Sequence, residues 1–311
     1  MIEIRPAQSD ELAEFARLWN VLWPNFARTS EQLVRDDREA PEACRPHRWL
    51  ARWDGGIVGF AEAEIVIGGS VERAEVSIGV LPDFRRRGIG KALYDQVISI
   101  LPGLGAKRAT VQIRETDADA RVFAVRRGFV EIKRDFESVL DLAQVNEAEL
   151  VRMSCHPGDV IVCSLAVVDS PEFRRQFHEL FESVRSDIPR SEPPTPMDFD
   201  LFERLVLGDP SFMFDGSFVA LREGIPVGMC GAFSSPTSGR VDQWLTAVRR
   251  EHRGLGLAKA MKAAAIRWAR ASGFTSIRTD NDTRNAPMLA INDRLGFRRL
   301  PAIVTLRKEL D

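Results

Sequence analysis

The amino-acid sequence predicts an α/β protein with two tandem domains, each a mixed, mostly antiparallel central sheet flanked by helices. Two observations lead to this prediction. The chain has 311 residues, about twice the length of a common domain. Three groups of residues also recur in the same order at nearly one spacing, and such a long period indicates duplicated domains rather than a solenoid. The predicted limits are 1–145 for the first domain, 146–156 for a linker and 157–311 for the second domain.

The repeat rests on three landmarks that each copy carries. The first is a pair of apolar stretches around a short turn, which predicts a β-hairpin. The second is a Gly-bearing turn before a helix, and the third is a Gly-Phe pair near the end of the copy. The matched segments are Ala51–Gly59 with Ala220–Gly228 at an offset of 169, Arg87–Ala92 with Arg253–Ala258 at 166, and Arg127–Phe129 with Leu295–Phe297 at 168.

Each copy predicts the same order of elements: a strand, two helices, three antiparallel strands, a helix, a strand, a helix and a closing strand. Strands at Val71–Val80 and Arg240–Val248 lead into the Gly-bearing turns. Asn285, with Pro287 in the first turn, is the predicted N-cap of the last helix. The helices after the turns show apolar residues at helical spacing, which are Ile89, Leu93, Val97 and Leu101, then Leu257, Met261, Ala264 and Trp268.

A strand that leads through a Gly-rich turn into a helix N-terminus predicts an anion site. Backbone N–H groups and the positive end of the helix dipole converge there, and glycine lets a phosphate approach the backbone. Guanidinium groups beside the turn would hold phosphate oxygens. The segments with this pattern are Arg85, Arg86, Arg87, Gly88, Ile89, Gly90 and Lys91 in the first copy and Arg253, Gly254, Leu255, Gly256, Leu257 and Ala258 in the second.

These turns resemble the acyl-CoA signature of the GNAT superfamily of N-acyltransferases, Arg/Gln-x-x-Gly-x-Gly/Ala. Arg85, Gly88 and Gly90 meet that pattern in the first copy. In the second copy the offset of 166 matches Glu251 to the first position, where a carboxylate would repel a pyrophosphate. With the repeat, the chain is identified as a tandem GNAT protein, and the resemblance covers nearly its whole length.

The second GNAT signature is better kept in the second copy. The run from Thr279 to Met288, followed by the Gly-Phe pair, resembles that signature, in which an Asn opens the helix that borders the pantetheine arm. The resemblance therefore implies that Asn281 and Asn285 belong to the cofactor site. The corresponding run of the first copy, Asp117–Phe129, has no Asn. For this reason we expect catalysis in the second copy, while the first binds acyl-CoA without turnover or shapes the acceptor site.

The resemblance also implies a chemistry, in which a neutral amine attacks the thioester carbonyl of acetyl-CoA directly. A backbone N–H of the splayed strand before the turn would polarise that carbonyl. The residue at this position is Val80 in the first copy and Thr246 or Val248 in the second. Asp242 is the candidate base, because it lies four residues before Thr246 and is expected on the same strand face.

The proton donor departs from the family pattern. Many GNAT enzymes carry a Tyr four residues before the Gly-Phe pair, but Ala124 and Asn292 stand there in this chain. The single Tyr, Tyr94, lies on the helix after the first Gly-rich turn. Two explanations stay open: either a water or Asn292 donates a hydrogen bond to the leaving thiolate, or the site is degenerate. Asn292 thus joins Thr246 and Asp242 as a candidate catalytic residue.

Three functional interpretations follow from the resemblance. The leading one is an acetyl-CoA-dependent N-acetyltransferase that acts on a primary amine of a small molecule or peptide. The first alternative is an acyl-CoA-binding pseudoenzyme or sensor with no turnover, and the second is an enzyme with another acyl donor or a hydroxyl acceptor. CoA binding without thiol release would favour the first alternative, and a panel of donors would test the second.

Composition argues against several other classes of protein. The net charge is −2 and is balanced in both halves, so no nucleic-acid partner is expected. The four cysteines lack metal-ligand spacing, so no metal is expected. The N-terminus lacks a signal-peptide pattern and no apolar run is long enough for a bilayer. We therefore expect a cytoplasmic protein with no membrane partner, and the sequence does not indicate an oligomeric state.

Overall fold

The structure, a computed structural model, describes residues 2–66, 72–188 and 194–310. Two compact units are distinguished. Unit 1 is built mainly from residues 2–133 and 303–310, and unit 2 from residues 134–188 and 196–302. The α/β class and the mixed, mostly antiparallel sheet are confirmed in both. The sequence limits of the two duplicated segments stay a prediction, because the compact units cut across them.

The predicted order of elements is present in each copy, with a few short additions. The strands are β1 (Ile2–Pro6), β2 (His47–Trp53), β3 (Gly56–Ile65), β4 (Arg73–Val80), β5 (Arg108–Arg114), β6 (Val130–Asp141), β7 (Val160–Ser164), β8 (Phe218–Arg222), β9 (Ile225–Ser234), β10 (Arg240–Val248), β11 (Ser276–Asp282), β12 (Arg298–Arg299) and β13 (Ile303–Glu309). The α-helices are α1 (Leu12–Leu22), α2 (Ser30–Glu39), α3 (Ile89–Ile100), α4 (Ala118–Val125), α5 (Glu147–Met153), α6 (Leu165–Val168), α7 (Pro171–Arg185), α8 (Phe199–Phe202), α9 (Leu257–Ala271) and α10 (Ala286–Leu295). Val71, the predicted first residue of β4, lies outside the described residues.

The sheet of unit 1 runs in the order β1-β2-β3-β4-β5-β13. All neighbouring strands are antiparallel except β4 and β5, which are parallel. Helix α3 covers one face, where Ile89, Leu93, Val97 and Leu101 are all buried, as their spacing predicted. Helix α1 packs on the opposite face, with its own apolar core around Phe15.

The sheet of unit 2 repeats this plan in the order β6-β11-β10-β9-β8-β7. Only β10 and β11 are parallel among its neighbours. Helix α9 covers one face, and its buried side includes Leu257 and Met261 as predicted. Ala264 and Trp268 are only half-buried, and the inner face continues through Ala265 instead. Helix α7 covers the other face.

The closing strand of each copy completes the sheet of the other unit. Strand β13 ends the second copy in sequence, yet it pairs with β5 in unit 1. Strand β6 ends the first copy, yet it pairs with β11 in unit 2. Because the two closing strands hold the same place in the two copies, the sequence alone could not assign them.

Local signals in the sequence are confirmed at the turns and caps. The hairpin turns Asp54-Gly55 and Glu223-Gly224 both have two consecutive residues with positive φ, at 48° and 86° and at 53° and 79°. Such angles define the tight two-residue turns that match the twist of paired strands. Asn285 caps α10, with its Oδ1 accepting the backbone N–H of Met288 at 3.4 Å. None of the helices in the described part of the chain is both long and apolar enough to span a bilayer.

We expect Leu306→Ala to destabilise unit 1, although Leu306 belongs to the last strand of the chain. Leu306 is 1% exposed and lies in the core of unit 1, and truncating a buried Leu destabilises a domain by about 2–5 kcal/mol. Hydrogen-exchange mass spectrometry should show faster exchange in β2–β5 and unchanged exchange in β8–β10. Leu180→Ala, a matched change in the core of unit 2, should give the reverse. Faster exchange in β8–β10 of Leu306→Ala would contradict the strand assignment.

Candidate active sites

Each unit contains one parallel strand pair that opens into a cleft. In unit 1, β4 pairs with β5 only from Arg73 to Val76, although β4 continues to Val80. In unit 2, β10 pairs with β11 only from Arg240 to Asp242, although β10 continues to Val248. The strands part beyond these points, as the family resemblance implies. The parted segment leads directly into the Gly-rich turn in both units.

The first Gly-rich turn is held to its strand by an arginine. The Nε of Arg85 donates to the carbonyl oxygen of Val80 at 3.2 Å. Gly88 has a φ of 85° and is the N-cap of α3, a left-handed conformation that glycine adopts without steric penalty. The first backbone N–H groups of α3 have no acceptor within the helix, so they can donate hydrogen bonds to an anion at the turn.

The second turn has the same geometry, and it corrects the sequence alignment. The Nε of Arg253 donates to the carbonyl oxygen of Val248 at 3.0 Å, and Gly256, with a φ of 80°, is the N-cap of α9. Arg253 is therefore the counterpart of Arg85, at an offset of 168 rather than 166. The expectation that Glu251 replaces the signature arginine was wrong, because the Gly-x-Gly similarity had been matched two residues out of register.

The same correspondence separates the two candidates for the polarising backbone group. Val248 is the counterpart of Val80, because both carbonyl groups accept the signature arginine. The next residue agrees: the N–H of Leu81 donates to Val58, and the N–H of Arg249 donates to Val227. Thr246 lies two residues earlier and matches Ile78 of the first copy.

A cleft of about 620 Å³ lies between the parted strands of unit 1. Its polar end is formed at the Gly-rich turn, and its apolar wall includes Val76, Ile78 and Tyr94. The predicted cofactor residues that line the cleft are Val80, Arg85, Arg86, Gly88, Gly90 and Lys91. Two others do not line it: the guanidinium of Arg87 stacks on Trp53 and Phe84, and Ile89 is buried in the core.

The predicted residues of the second turn divide in the same way. Leu255, Leu257 and Ala258 pack in or against the core under α9. Gly254 has a φ of 79° and takes the place of Arg86, whose φ is 62°. The second turn thus has one arginine, Arg253, where the first has three.

A carboxylate lies against the arginine of the second turn. Asp187, at the C-terminal end of α7, accepts hydrogen bonds from Arg250 and Arg253. These contacts, that of Arg250 above all, lower the pKa of Asp187 to about 2. The carboxylate is therefore ionised and pairs with two guanidinium groups beside the turn.

Strand β10 contains a β-bulge that β4 lacks. Gln243 pairs with Ala232 of β9, and Thr246 pairs with Cys230. Two residues of β10, Trp244 and Leu245, therefore lie opposite one residue of β9, Gly231. Both bulge side chains pack against the core on the α7 face. Strands β3 and β4 keep a continuous register over the same region. A bulge unpairs one residue of a ladder and re-aims its neighbours, and here it sits at the mouth of the cleft.

The bulge places Asp242 and Thr246 on opposite faces of the sheet, which corrects the expectation that they share one. Gln243 contacts Lys262 of α9, and the Thr246 hydroxyl donates to Cys230 Sγ at 3.3 Å in the core below α9. Asp242 precedes Gln243 and therefore points to the α7 face. Residues four apart share a face only on a regular strand. The bulge adds one residue between Asp242 and Thr246, so their side chains lie on opposite faces.

The second-signature residues of unit 2 lie together. Asn292 is 1% exposed, and its Nδ2 donates to Oδ1 of Asn281 at 2.6 Å. Its own Oδ1 is buried without a hydrogen-bond partner among the described residues. The N-cap Asn285 begins the same helix. A buried acceptor left unsatisfied in this way is a place where a ligand N–H or a water can bind.

Alternating charges surround Asp242 on the α7 face. The Nε of Arg240 lies 3.0 Å from Asp242, and the Nε of Arg278 lies 3.0 Å from Glu137. Asp242 and Arg278 are register partners on the parallel strands, just before these part. The region where β10 and β11 part is therefore polar, and the carboxylates of Asp242 and Glu137 are each paired with an arginine there.

The corresponding face of unit 1 carries a cluster of three carboxylates, of which Glu62 is buried and Glu64 and Glu75 are half-buried. Glu64 and Glu75 are register partners on β3 and β4. Burial, followed by the nearby charges of Glu62 and Glu75, raises the pKa of Glu64 to about 7. Glu62 itself pairs with Arg28 and Arg48. Both guanidinium groups form their ion pairs with Glu62, and their charges lower the pKa of Glu64 by less than burial and the neighbouring carboxylates raise it.

Sequence reasoning missed the polar wall of the second cleft. At the offset of 168, Lys262 replaces Tyr94, and Lys262 is 1% exposed. A signal was present, because Lys262 lies one residue from Met261 and four from Ile266 on the inner face of α9. A lysine is normally read as a solvent-exposed position, and the two-residue misalignment hid its counterpart.

The fold and the paired turns define a tandem acyltransferase, and family comparison agrees. The model of the Acetyltransferase (GNAT) family matches residues 13–129 and 177–297, more than half of the chain. The chain therefore belongs to the GNAT family. The family consists of N-acetyltransferases, and its members use acetyl-CoA as co-substrate.

Two similar proteins carry the name mycothiol acetyltransferase. The one from Acidothermus cellulolyticus is 24% identical over 276 residues, which cover 82% of this chain and 77% of the relative. The one from Parafrankia sp. is 25% identical over 303 residues, which cover 90% of this chain and 88% of the relative. Both alignments span the two copies.

Two solved structures share the fold over 99% of this chain. A tandem GNAT protein from the clavulanic acid biosynthesis pathway has a TM-score of 0.78 at 21% identity, over 98% of its own length. A GCN5-related N-acetyltransferase from Sphaerobacter thermophilus has a TM-score of 0.74 at 19% identity, over 95% of its length. At these identities the likeness establishes the tandem fold alone.

We expect Glu64→Gln to reduce the pH dependence of stability. A carboxyl whose pKa is raised on folding stabilises the fold below its unfolded pKa, near 4.5, and that contribution disappears as the pH rises through about 7. The wild type should lose up to about 3 kcal/mol of unfolding free energy between pH 5 and 8, at ~1.4 kcal/mol per pKa unit. Urea denaturation across this range should show a smaller loss for Glu64→Gln.

The matched control is Glu72→Gln, an exposed carboxylate whose pKa is lowered by Lys107. It should leave the decline of stability between pH 5 and 8 unchanged. An equally steep decline in Glu64→Gln and the wild type would show that Glu64 is ionised in the folded protein.

Proposed function

We propose that the site of unit 2 transfers an acetyl group from acetyl-CoA to a primary amine of a small molecule or peptide. The observation that carries this proposal is the β-bulge of β10, which unit 1 lacks. Unit 1, in the same proposal, binds acyl-CoA without turnover.

The bulge supports catalysis because it frees backbone groups at the point where the strands part. An antiparallel ladder commits the N–H groups of a strand alternately to its two neighbours. Strand β10 has no partner on the β11 side beyond Asp242, and the bulge also interrupts the ladder to β9. Backbone N–H groups between the bulge and Val248 can therefore polarise a thioester carbonyl, which is the electrostatic contribution of an oxyanion hole.

Asp242 is the proposed base, acting directly or through a water. It lies on the α7 face at the last paired residue before the cleft, so an amine approaching from that face meets its carboxylate before the thioester. The pairing with Arg240 orients the carboxylate. After attack, the N–H proton of the tetrahedral intermediate passes to this group or its water.

The cofactor would lie along the second turn and the parted strands. Backbone groups at Gly254, Gly256 and Leu257 and the guanidinium of Arg253 would hold its pyrophosphate. Asn281 and Asn285 would border its pantetheine arm. Asn292 already donates one amide hydrogen to Asn281, so only its second amide hydrogen is available for a substrate.

The acceptor is proposed to be a small polar amine. The alternating charges of Arg240, Asp242, Arg278 and Glu137 favour a substrate that carries both hydrogen-bond donors and acceptors. Because two relatives are named mycothiol acetyltransferase, the deacetylated form of mycothiol belongs in the first amine panel, beside simple amines and peptides with a free N-terminus.

A specific observation favours the second candidate function, acyl-CoA binding without turnover, for unit 1. Its cleft has Arg85 and Arg86 of the turn at the polar end and an apolar wall of Val76, Ile78 and Tyr94. Its strand has a continuous ladder to β3. Such a site offers strong contacts to phosphates and to an acyl chain but fewer free groups to stabilise developing charge.

We expect Asp242→Asn to lower kcat/KM for acetylation by about 100-fold or more, the usual contribution of a positioned base. Release of free thiol from acetyl-CoA in the presence of an accepted amine is the measurement. Glu75→Gln changes the equivalent residue of β4 and serves as the matched control, with turnover expected within a few-fold of wild type. A larger loss in Glu75→Gln than in Asp242→Asn would move catalysis to unit 1.

The paired variants Arg85→Ala and Arg253→Ala test cofactor binding at each turn. A charge-assisted hydrogen bond contributes about 1.5–3 kcal/mol, so each change should weaken acetyl-CoA binding at its own site by roughly 10- to 150-fold. Calorimetric titration should detect the loss of one class of site in each variant. Only Arg253→Ala should raise KM for acetyl-CoA. If Arg85→Ala alone does so, the second turn is not the working site.

A further inference from the structure

We propose that Lys262 donates the proton that the CoA thiolate takes up in unit 2, in place of the family's missing tyrosine. This inference rests on the proposed function and assigns a residue that neither the family signatures nor the sequence pattern indicates. Three observations carry it: the place of Lys262 in the cleft wall, its contacts, and the contrast with the first copy.

The place of Lys262 follows from the repeat. Gly88 and Gly256 are the N-caps of α3 and α9, so the sixth residue of each helix is Tyr94 or Lys262. Tyr94 lines the cleft of unit 1, together with Val76 and Ile78. By the same correspondence Lys262 lies at the wall of the cleft of unit 2.

The neighbours of Lys262 change with it. The strand residues that correspond to Val76 and Ile78 are Gln243 and Thr246, one on each side of the bulge. Cys230 of β9 takes the place of Ala61 of β3. An apolar wall in unit 1 has thus become a connected polar wall in unit 2, at the position where the thioester group enters between the strands.

The contacts within this wall hold the amine in place. Lys262 Nζ donates to Oε1 of Gln243. The Nε2 of Gln243 and the hydroxyl of Thr246 both donate to Cys230 Sγ at 3.3 Å. Lys262 Nζ also lies 5.1 Å from the ring centre of Phe297. The bulge between Gln243 and Thr246 sets the direction of both side chains, and Gln243 in turn orients the Lys262 amine.

Lys262 lacks the partner that a structural buried lysine needs. An ammonium has three N–H donors, and a buried one is normally compensated by a carboxylate. Among the described residues, its contacts are one neutral amide and one aromatic face. Burial lowers the pKa of Lys262 to about 8. The group is therefore charged near neutral pH and gives up a proton readily, as a general acid requires.

Few other titratable groups act on this amine. Cys230 is the one on β9, and burial raises the pKa of its thiol, which keeps it neutral. From β10 the facing groups are Gln243 and Thr246, which do not titrate. The core residues that β7, β8 and α5 contribute near α9 are apolar, namely Val160, Ala220, Leu150 and Met153.

The proposed step balances without another reactant. The amine nitrogen attacks the thioester carbon and forms the C–N bond. As the tetrahedral intermediate collapses, the C–S bond breaks, its electron pair goes to sulfur, and a proton from Lys262 Nζ completes the CoA thiol. The proton that the acceptor nitrogen loses goes to Asp242 or its water, and neutral Lys262 regains one proton from solvent before the next turnover.

The test compares Lys262→Met, Lys262→Tyr and the control Lys107→Met, which makes the same change at an exposed lysine, in the full chain. Thiol release from acetyl-CoA gives kcat and KM, calorimetry gives the acetyl-CoA affinity, and thermal unfolding gives Tm. Lys262→Met should lower kcat about 100-fold with acetyl-CoA affinity within threefold. Its Tm should stay or rise, because an apolar isostere removes a buried charge. Lys107→Met should leave kcat unchanged.

The pH profile separates a proton donor from a packing residue. The kcat of the wild type should decline as the pH rises through about 8. Lys262→Tyr should recover at least a tenth of the wild-type kcat, and its decline should move toward the tyrosine range near ~10. A role in packing alone predicts no such displacement.

Two results would overturn the inference while the proposed function stands. One is an active wild type with Lys262→Met within threefold of its kcat, and the other is a kcat loss that accompanies an equal loss of acetyl-CoA binding. A wild type that binds acetyl-CoA and releases no thiol with any amine would instead overturn the proposed function and this inference together.

Discussion

The parting of one parallel strand pair in each unit is the constraint on which the rest of the structure depends. Strands β4 and β5, and likewise β10 and β11, share only a short ladder before they diverge. Divergence leaves backbone groups without strand partners, and these must be satisfied by a ligand or by water. The Gly-rich turn, the helix that follows it and the signature arginine all lie where the strand leaves its neighbour, so one local break in pairing places the whole site.

Two copies of this arrangement have diverged in what they offer a ligand. Unit 1 has a continuous ladder between β3 and β4, three consecutive arginines in its turn and an apolar cleft wall. Unit 2 has a bulge, a single signature arginine and a wall built from Gln243, Thr246 and Lys262. Gln243 and Thr246 share one side of β10 because the added residue lies between them, as Val76 and Ile78 share one side of β4, so the two walls differ in the chemistry of their side chains.

Much of the fold could be predicted from the sequence, because the repeat, the turn residues and the caps are local signals. The hairpin turns, the N-cap Asn285 and the inner face of α3 needed only nearby residues. Three features depended on distant contacts and were missed: the register of the second turn, the bulge that separates Asp242 from Thr246, and the buried Lys262. Spacing rules assume an ideal helix or strand with charged residues at the surface. One extra residue in a strand, or one buried charge in a helix, is enough to make such a rule fail.

The exchange of closing strands has a consequence for how the chain is made. The strand that pairs with β5 is not available until residues near the C-terminus have left the ribosome, although domains generally fold in the order of synthesis. Until then β5 presents an open edge, which is a site for unwanted pairing with other chains. The two copies thus cannot be separated into independent proteins by cutting the gene at the repeat boundary. Each copy needs the closing strand of the other to complete its sheet, so the two copies have to be inherited together.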